Sequence, residues 1–181
     1  MNTLERFNKK YPKVNLISKY SVSPDIEDFD VIIADDEYTN TKYSYHELME
    51  EDILVAIHKD NPLSTKDFIS AEDLKQQYFI CSISNGSLYQ ITQKICRNLG
   101  FTPNVVIQSD DPHFMRKCIE LNLGIAFFPA KSWKGKFSNN VLIKDICGFK
   151  RKTYAYYNKK QYLSKCVKNF LKMLTEEFSK Q

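Results

Sequence analysis

The segment from Gly100 to Pro129 constrains the fold more than any other part of the chain. It opens with Gly100-Phe101-Thr102-Pro103, runs through Val105-Val106-Ile107 and Ser109-Asp110-Asp111-Pro112, and closes on Leu123-Gly124-Ile125-Ala126-Phe127-Phe128-Pro129. Asp111 is placed to cap a helix whose first residue is Pro112, because proline's missing N–H costs nothing at that position. Spacing puts Phe114, Cys118 and Leu121 on one face of this helix. Gly124 suits the chain reversal at its end, and the four apolar residues before Pro129 read as a short buried strand. The segment is therefore a strand–helix–strand unit.

The same alternation extends along the chain. Residues 1–10 read as an amphipathic helix carrying Leu4, Phe7 and Tyr11 on one side and stopping at Pro12. Strands are expected at 14–17, 29–34, 53–57, 78–81, 105–107, 125–128, 141–143 and 153–157. Ser87-Leu88-Tyr89-Gln90 fits a capping box, with Ser87 as the cap and Leu88, Ile91, Ile95 and Leu99 as the inner stripe up to Gly100. A last helix begins at Ser164 and buries Val167, Phe170, Leu171, Leu174 and Phe178. Strands separated by helices argue for an α/β fold with mainly parallel sheets. There are no repeats and no Pro/Gly linker, so periodicity alone suggests one compact domain.

Composition excludes several classes. Five cysteines, Cys81, Cys96, Cys118, Cys147 and Cys166, are odd in number and lack paired short spacings, which argues against a disulfide framework or a zinc site. No apolar run has transmembrane length and no N-terminal signal is legible, so a cytoplasmic protein is expected. The balance of 26 Lys and Arg against 22 Asp and Glu, a net charge of +4, is too even to imply that this chain binds nucleic acid. Neither a cofactor nor a metal is expected.

Read in order, these pieces resemble the effector-binding domain of LysR-type transcriptional regulators. The Gly100–Pro103 turn, the strand after it, the polar helix start and the Leu123–Pro129 passage match that family's succession. So do Leu4-Glu5-Arg6-Phe7 with Tyr11-Pro12-Lys13-Val14, the strand Phe29-Asp30-Val31-Ile32-Ile33, the passage Leu54 to Leu63, and Ser70-Ala71-Glu72-Asp73-Leu74. The resemblance implies a two-lobed, periplasmic-binding-protein-like (type 2) fold with mixed, mainly parallel sheets and an effector cleft between lobes. It places lobe I at 1–57 plus 156–181 and lobe II at 58–155. It also implies a homodimer or tetramer, and contact with promoter DNA only through an N-terminal winged helix-turn-helix domain. That domain and the family's first strand are missing from this chain, which makes it either a fragment of a longer regulator or a truncated relative. In the truncated case, exposed strand edges would favour instability or dimerisation.

Ligands of open α/β sheets gather outside the carboxyl ends of strands, where loops and helix N-termini offer unpaired polar groups. The first candidate is Ser82-Ile83-Ser84-Asn85-Gly86-Ser87, whose Ser82, Ser84, Asn85, Gly86 and Ser87 can cradle a carboxylate or phosphate. Taken alone, the same loop reads as a cap and a turn. Ser109 and Asp110 form the second candidate and Asp35, beside Asp36, the third; such carboxylates also serve as caps and turn residues. Gly124 completes the set. Acidic groups facing serines favour a zwitterionic or hydroxylated small-molecule effector.

An enzyme is the rival class. Cys81 at a strand end is the one nucleophile worth weighing, but no motif links it to His46, His58 or His113. His58 and His113 read as surface residues, and neither a Gly-rich phosphate loop nor a Gly-x-Ser-x-Gly elbow is present. No Thr-Arg-Phe triplet of the prephenate dehydratase kind occurs. A transporter's solute-binding protein is the nearer rival by fold.

Overall fold

The computed structural model describes residues 2–19, 29–35, 43–83, 86–159 and 162–179, with the side chain of residue 147 excluded. Among them the elements are, in chain order, α1 (Thr3–Lys10), β1 (Ile32–Ala34), β2 (Tyr43–His58), α2 (Ala71–Lys75), β3 (Tyr78–Cys81), α3 (Ser87–Asn98), β4 (Asn104–Gln108), α4 (Pro112–Glu120), β5 (Ala126–Pro129), β6 (Val141–Asn158) and α5 (Lys165–Phe178). The chain divides into two compact units, Glu51–Arg151 and Met1–Glu50 with Lys152–Gln181. The neighbouring long strands β2 and β6 contribute residues to both.

In the Glu51–Arg151 unit, β3 pairs in parallel with β4, and Phe79 bridges in parallel to Ile125 at the entry to β5. β5 in turn runs antiparallel to β2, with Ile53 opposite Pro129 and Ala56 opposite Ala126. Successive strand residues point to opposite faces. Val55, Ile57, Phe79, Cys81, Ile125 and Phe127 therefore pack with Leu74 of α2 and Ile95 and Cys96 of α3. Ala56, Ile80, Ala126 and Phe128 pack with Met115, Cys118 and Ile119 of α4 and with Trp133. Helices cover both faces, which is why β3 and β5 read as unbroken apolar runs. Each fully buried Phe or Ile contributes on the order of 1.5–3 kcal/mol.

In the other unit, β1 lies antiparallel to the end of β6, Ile32 opposite Tyr156 and Ala34 opposite Tyr154. Leu48 and Ala155 pack under Leu171 and Leu174 of α5. α1 docks on α5 through Phe7 against Phe170, ring centroids 5.1 Å apart, and through the Arg6–Glu176 ion pair at 3.0 Å.

Local chemistry explains most boundaries. Asp111 caps α4 by accepting from His113 N–H at 2.8 Å, with Pro112 first in the helix as expected. Ser70 and Asp73 form a reciprocal capping box on α2, and Ser164 caps α5.

Several expectations change. Residues 14–17 form no strand, and Val14, Leu16 and Ile17 stay exposed, because no ladder partner meets them among the described residues. The strand expected at 29–34 contracts to Ile32–Ala34, and those at 141–143 and 153–157 are the ends of one 18-residue strand. α4 buries Met115, Cys118 and Ile119, while Phe114 and Leu121 are exposed. Leu4 is likewise exposed; Asn2 caps α1, and the Thr3 hydroxyl donates to the Met173 carbonyl and the Glu177 carboxylate. Asn122, not Gly124, makes the reversal after α4, at φ 57° with Leu123 N–H reaching the Cys118 carbonyl. His58 is buried, its Nδ1 accepting from Asp60 N–H at 3.2 Å, whereas His113 is exposed.

Candidate functional site

The chain leaves β3 through α3 to reach β4 on one side, then crosses back through α4 to enter β5 on the other. β3 thus lies where the strand order reverses, the place at which open α/β sheets leave a crevice beyond their carboxyl ends. Ser82 is the first residue beyond that end. Ser109 joins it there, because its N–H donates to the Cys81 carbonyl at 3.1 Å.

The capping of α3 differs from the expected box. Gly86 is the N-cap, Ser87 is the first helical residue, and no side chain of the cap itself is used. Ser82 supplies the missing acceptor: its Oγ takes the Tyr89 N–H at 2.8 Å. A side chain at position 86 would sit 2.5 Å from that oxygen, so glycine is what lets the loop fold back onto the helix. The N–H groups of Ser87 and Leu88 and the half-buried Ser87 hydroxyl find no hydrogen-bond partner among the described residues. A helix N-terminus with unclaimed donors attracts anions. Ser82→Ala is expected to cost about 1 kcal/mol, the usual effect of losing a cap, and to lower the midpoint of thermal unfolding by about 2–4 °C.

Ser82, Gly86, Ser87 and Ser109 are therefore brought together. Asp110 is exposed beside Ser109, whose Oγ accepts the Asp111 N–H at 3.0 Å. Ser84 and Asn85 lie outside the described residues. Asp35 follows β1 in the other unit. Gly124 stands at the opposite end of β3, against the Tyr78 carbonyl, and does not join the serines.

Burial pushes the Cys81 thiol up to about 11, against a smaller opposing effect of its hydrogen bond with Thr92, and pushes Cys96 up to about 12. Cys81 is thus held as a thiol, the poorly nucleophilic form. Among the described residues no three His, Cys, Asp or Glu side chains gather as a metal site, and no helix is long and apolar enough to cross a membrane.

No local sequence pattern marks the Glu51 cluster in the same unit. The buried Glu51 carboxylate accepts from Lys131 N–H, Ser132 N–H, Ser132 Oγ and Arg151 at 2.7–2.9 Å. Its partners lie 80 to 100 residues away, beyond the reach of any local pattern.

Residues 1–179 match the family model described as the LysR substrate binding domain. The chain belongs to this family. It is the effector-sensing domain of a LysR-type regulator, and its fold is the periplasmic-binding-protein-like one implied by the sequence. Among curated relatives, the malolactic fermentation system transcriptional activator of Lactococcus lactis is 26% identical over 131 residues, covering 71% of this chain and 45% of the relative. The HTH-type transcriptional regulator AlsR of Bacillus subtilis is 23% identical over 139 residues, covering 72% and 46%. The LysR-domain chain thus spans about half the length of the curated relatives it matches, which are transcriptional regulators. In structure it is similar to the CcmR regulatory domain of Synechocystis in complex with 2-PG, with a TM-score of 0.85, 19% identity, and 97% and 89% of the two chains covered. The effector binding domain of QuiR in complex with shikimate gives a TM-score of 0.83 at 18% identity, covering 98% and 89%.

Proposed function

We propose that this domain binds a small, oxygen-rich anion where β3 ends and α3 begins, with Ser82, Gly86 and Ser87 forming the cradle and Ser109 its second wall. The observation that carries the reading is the pair of N–H groups, Ser87 and Leu88, that no described residue claims, opening beside the Ser87 hydroxyl at the point where the strand order reverses. Ser84 and Asn85 belong to the same proposed cradle. Shikimate and 2-PG, named for the QuiR and CcmR domains, are of the same small anionic kind and support the choice of ligand class.

Binding is proposed to act by linkage. An effector that favours one arrangement of the domain shifts the population towards it, and in a longer regulator that shift alters promoter contacts made by a separate DNA-binding domain. The protein then works without catalysis, in the cytoplasm, as a homodimer or tetramer.

The test is thermal unfolding of the chain against amino acids, organic acids, sugars and nucleotides. A ligand at a hundredfold over its Kd adds about 2.7 kcal/mol to stability. Against the ligand so identified, Ser87→Ala and Ser109→Ala are each expected to weaken affinity about tenfold without unfolding the protein. Unchanged affinity in both variants overturns the site.

A further inference from the structure

We infer that the unit formed by Met1–Glu50 and Lys152–Gln181 carries a second ligand site, a cationic groove under α5 that takes a small organic anion with a flat apolar body. The groove is an open depression of about 410 Å³, within the ~300–1,000 Å³ range of small-molecule sites. Three elements build it. β2 supplies His46 and β6 supplies Tyr157, whose rings stack at 5.5 Å and 27° to make a flat wall. Leu163 and Leu171 add apolar surface, and α5 contributes Lys168 and Lys172.

The charge pattern selects the occupant. Lys168 and Lys172 are four residues apart on one helix, so both ammonium groups serve the same face. Among the described residues no acidic side chain lines the groove. Among the described residues Lys172 meets the Glu176 carboxylate at 4.0 Å, an exposed pair that contributes little. Lys168 meets the Tyr162 ring at 5.9 Å. Two weakly compensated cations over an aromatic wall fit an aromatic carboxylate better than inorganic phosphate, which has no ring to stack, or a neutral aromatic, which has no charge to place. The serine cradle at α3 belongs to the other unit, so this site stands independently of it.

The test is a nuclear magnetic resonance titration of the uniformly ¹⁵N-labelled chain with benzoate, benzamide and inorganic phosphate. Saturable benzoate shifts are expected at His46, Tyr157 and residues 168–175, with benzamide and phosphate each at least about tenfold weaker. The double variant Lys168→Ala/Lys172→Ala is expected to weaken benzoate by at least about tenfold, the scale of one charge-assisted hydrogen bond. Both lysines are exposed, and alanine is a good helix former, so the variant keeps its fold. Absence of saturable shifts, equal binding of phosphate, or undiminished benzoate binding in the lysine variant each overturns the inference. Benzoate binding that Ser87→Ala abolishes places the anion at α3 and overturns it as well.

Discussion

Glu51→Gln is expected to lower the free energy of unfolding by about 3–5 kcal/mol, the cost of breaking a buried ion pair from one side. The Glu51 side chain is fully buried and that of Arg151 is 14% exposed, with 2.8 Å between their charged atoms. The glutamine keeps the shape but replaces an acceptor-only group with one that also carries two donors, facing two backbone N–H groups, a hydroxyl and a guanidinium. The near-buried Arg151 then loses the carboxylate that it faces at 2.8 Å. Because β5 and β6 both neighbour β2, the cluster ties together the Ala130–Ser132 turn after β5, β2 and β6. Urea unfolding at neutral pH measures the loss. A change below about 1 kcal/mol would mean that the carboxylate contributes only shape.

The same carboxylate predicts a pH dependence. Burial pushes its pKa up, but the Ser132 N–H and hydroxyl and the Arg151 guanidinium together outweigh burial and hold it below the ordinary 4.5. A carboxyl whose folded value is depressed contributes stability that is complete above its unfolded value and disappears as pH falls through the folded one. Wild-type stability should therefore fall on acidification below about pH 4.5, and the Glu51→Gln variant should lack that component of the fall.

What the sequence reveals and conceals follows from the range of the forces involved. Caps are local, so Asp111-Pro112 marks the start of α4, and Ser164 that of α5, to the residue. The family match could be read because turns, helix starts and short strands recur in order. Pairing is not local: 14–17 has strand-like apolar residues, yet a strand exists only where another offers its ladder. The buried face of α4 is ambiguous in sequence because Phe114/Cys118/Leu121 and Met115/Cys118/Ile119 are overlapping stripes, and only the packed neighbours choose between them. The cap of α3 departs from its local signal for a related reason. Ser87 occupies the expected position in sequence, but the loop closes through Gly86 and brings a serine from seven residues before Tyr89 to do the work. The serine cluster at the end of β3 was legible as a set of residue types, while which donors remain unclaimed within it depends on that fold-back.

Gly124→Ala is expected to cost about 2–4 kcal/mol, and the reason is space, not backbone freedom, since Gly124 is absent from the positive-φ positions. An added Cβ would lie 2.8 Å from the Tyr78 carbonyl oxygen and 3.2 Å from Ile80 Cγ1. The first contact is with backbone and cannot be relieved by a rotamer change. Tyr78 O also accepts from Ile125 N–H at 2.9 Å, and Ile80 N–H donates to Ile125 O at 2.8 Å. Displacing residue 124 therefore strains the two hydrogen bonds that join β3 to the entry of β5, adding about 1 kcal/mol or more to the 1–3 kcal/mol of overpacking. Ser82 lies four residues after Tyr78, just past the other end of β3, about 13 Å away at 3.3 Å per residue. The expected signature is thus a large loss in urea unfolding together with unchanged effector affinity in the protein that remains folded. If affinity fell while stability held, Gly124 would belong with Ser82, Ser87 and Ser109, and the cradle would have to extend to the other end of the strand.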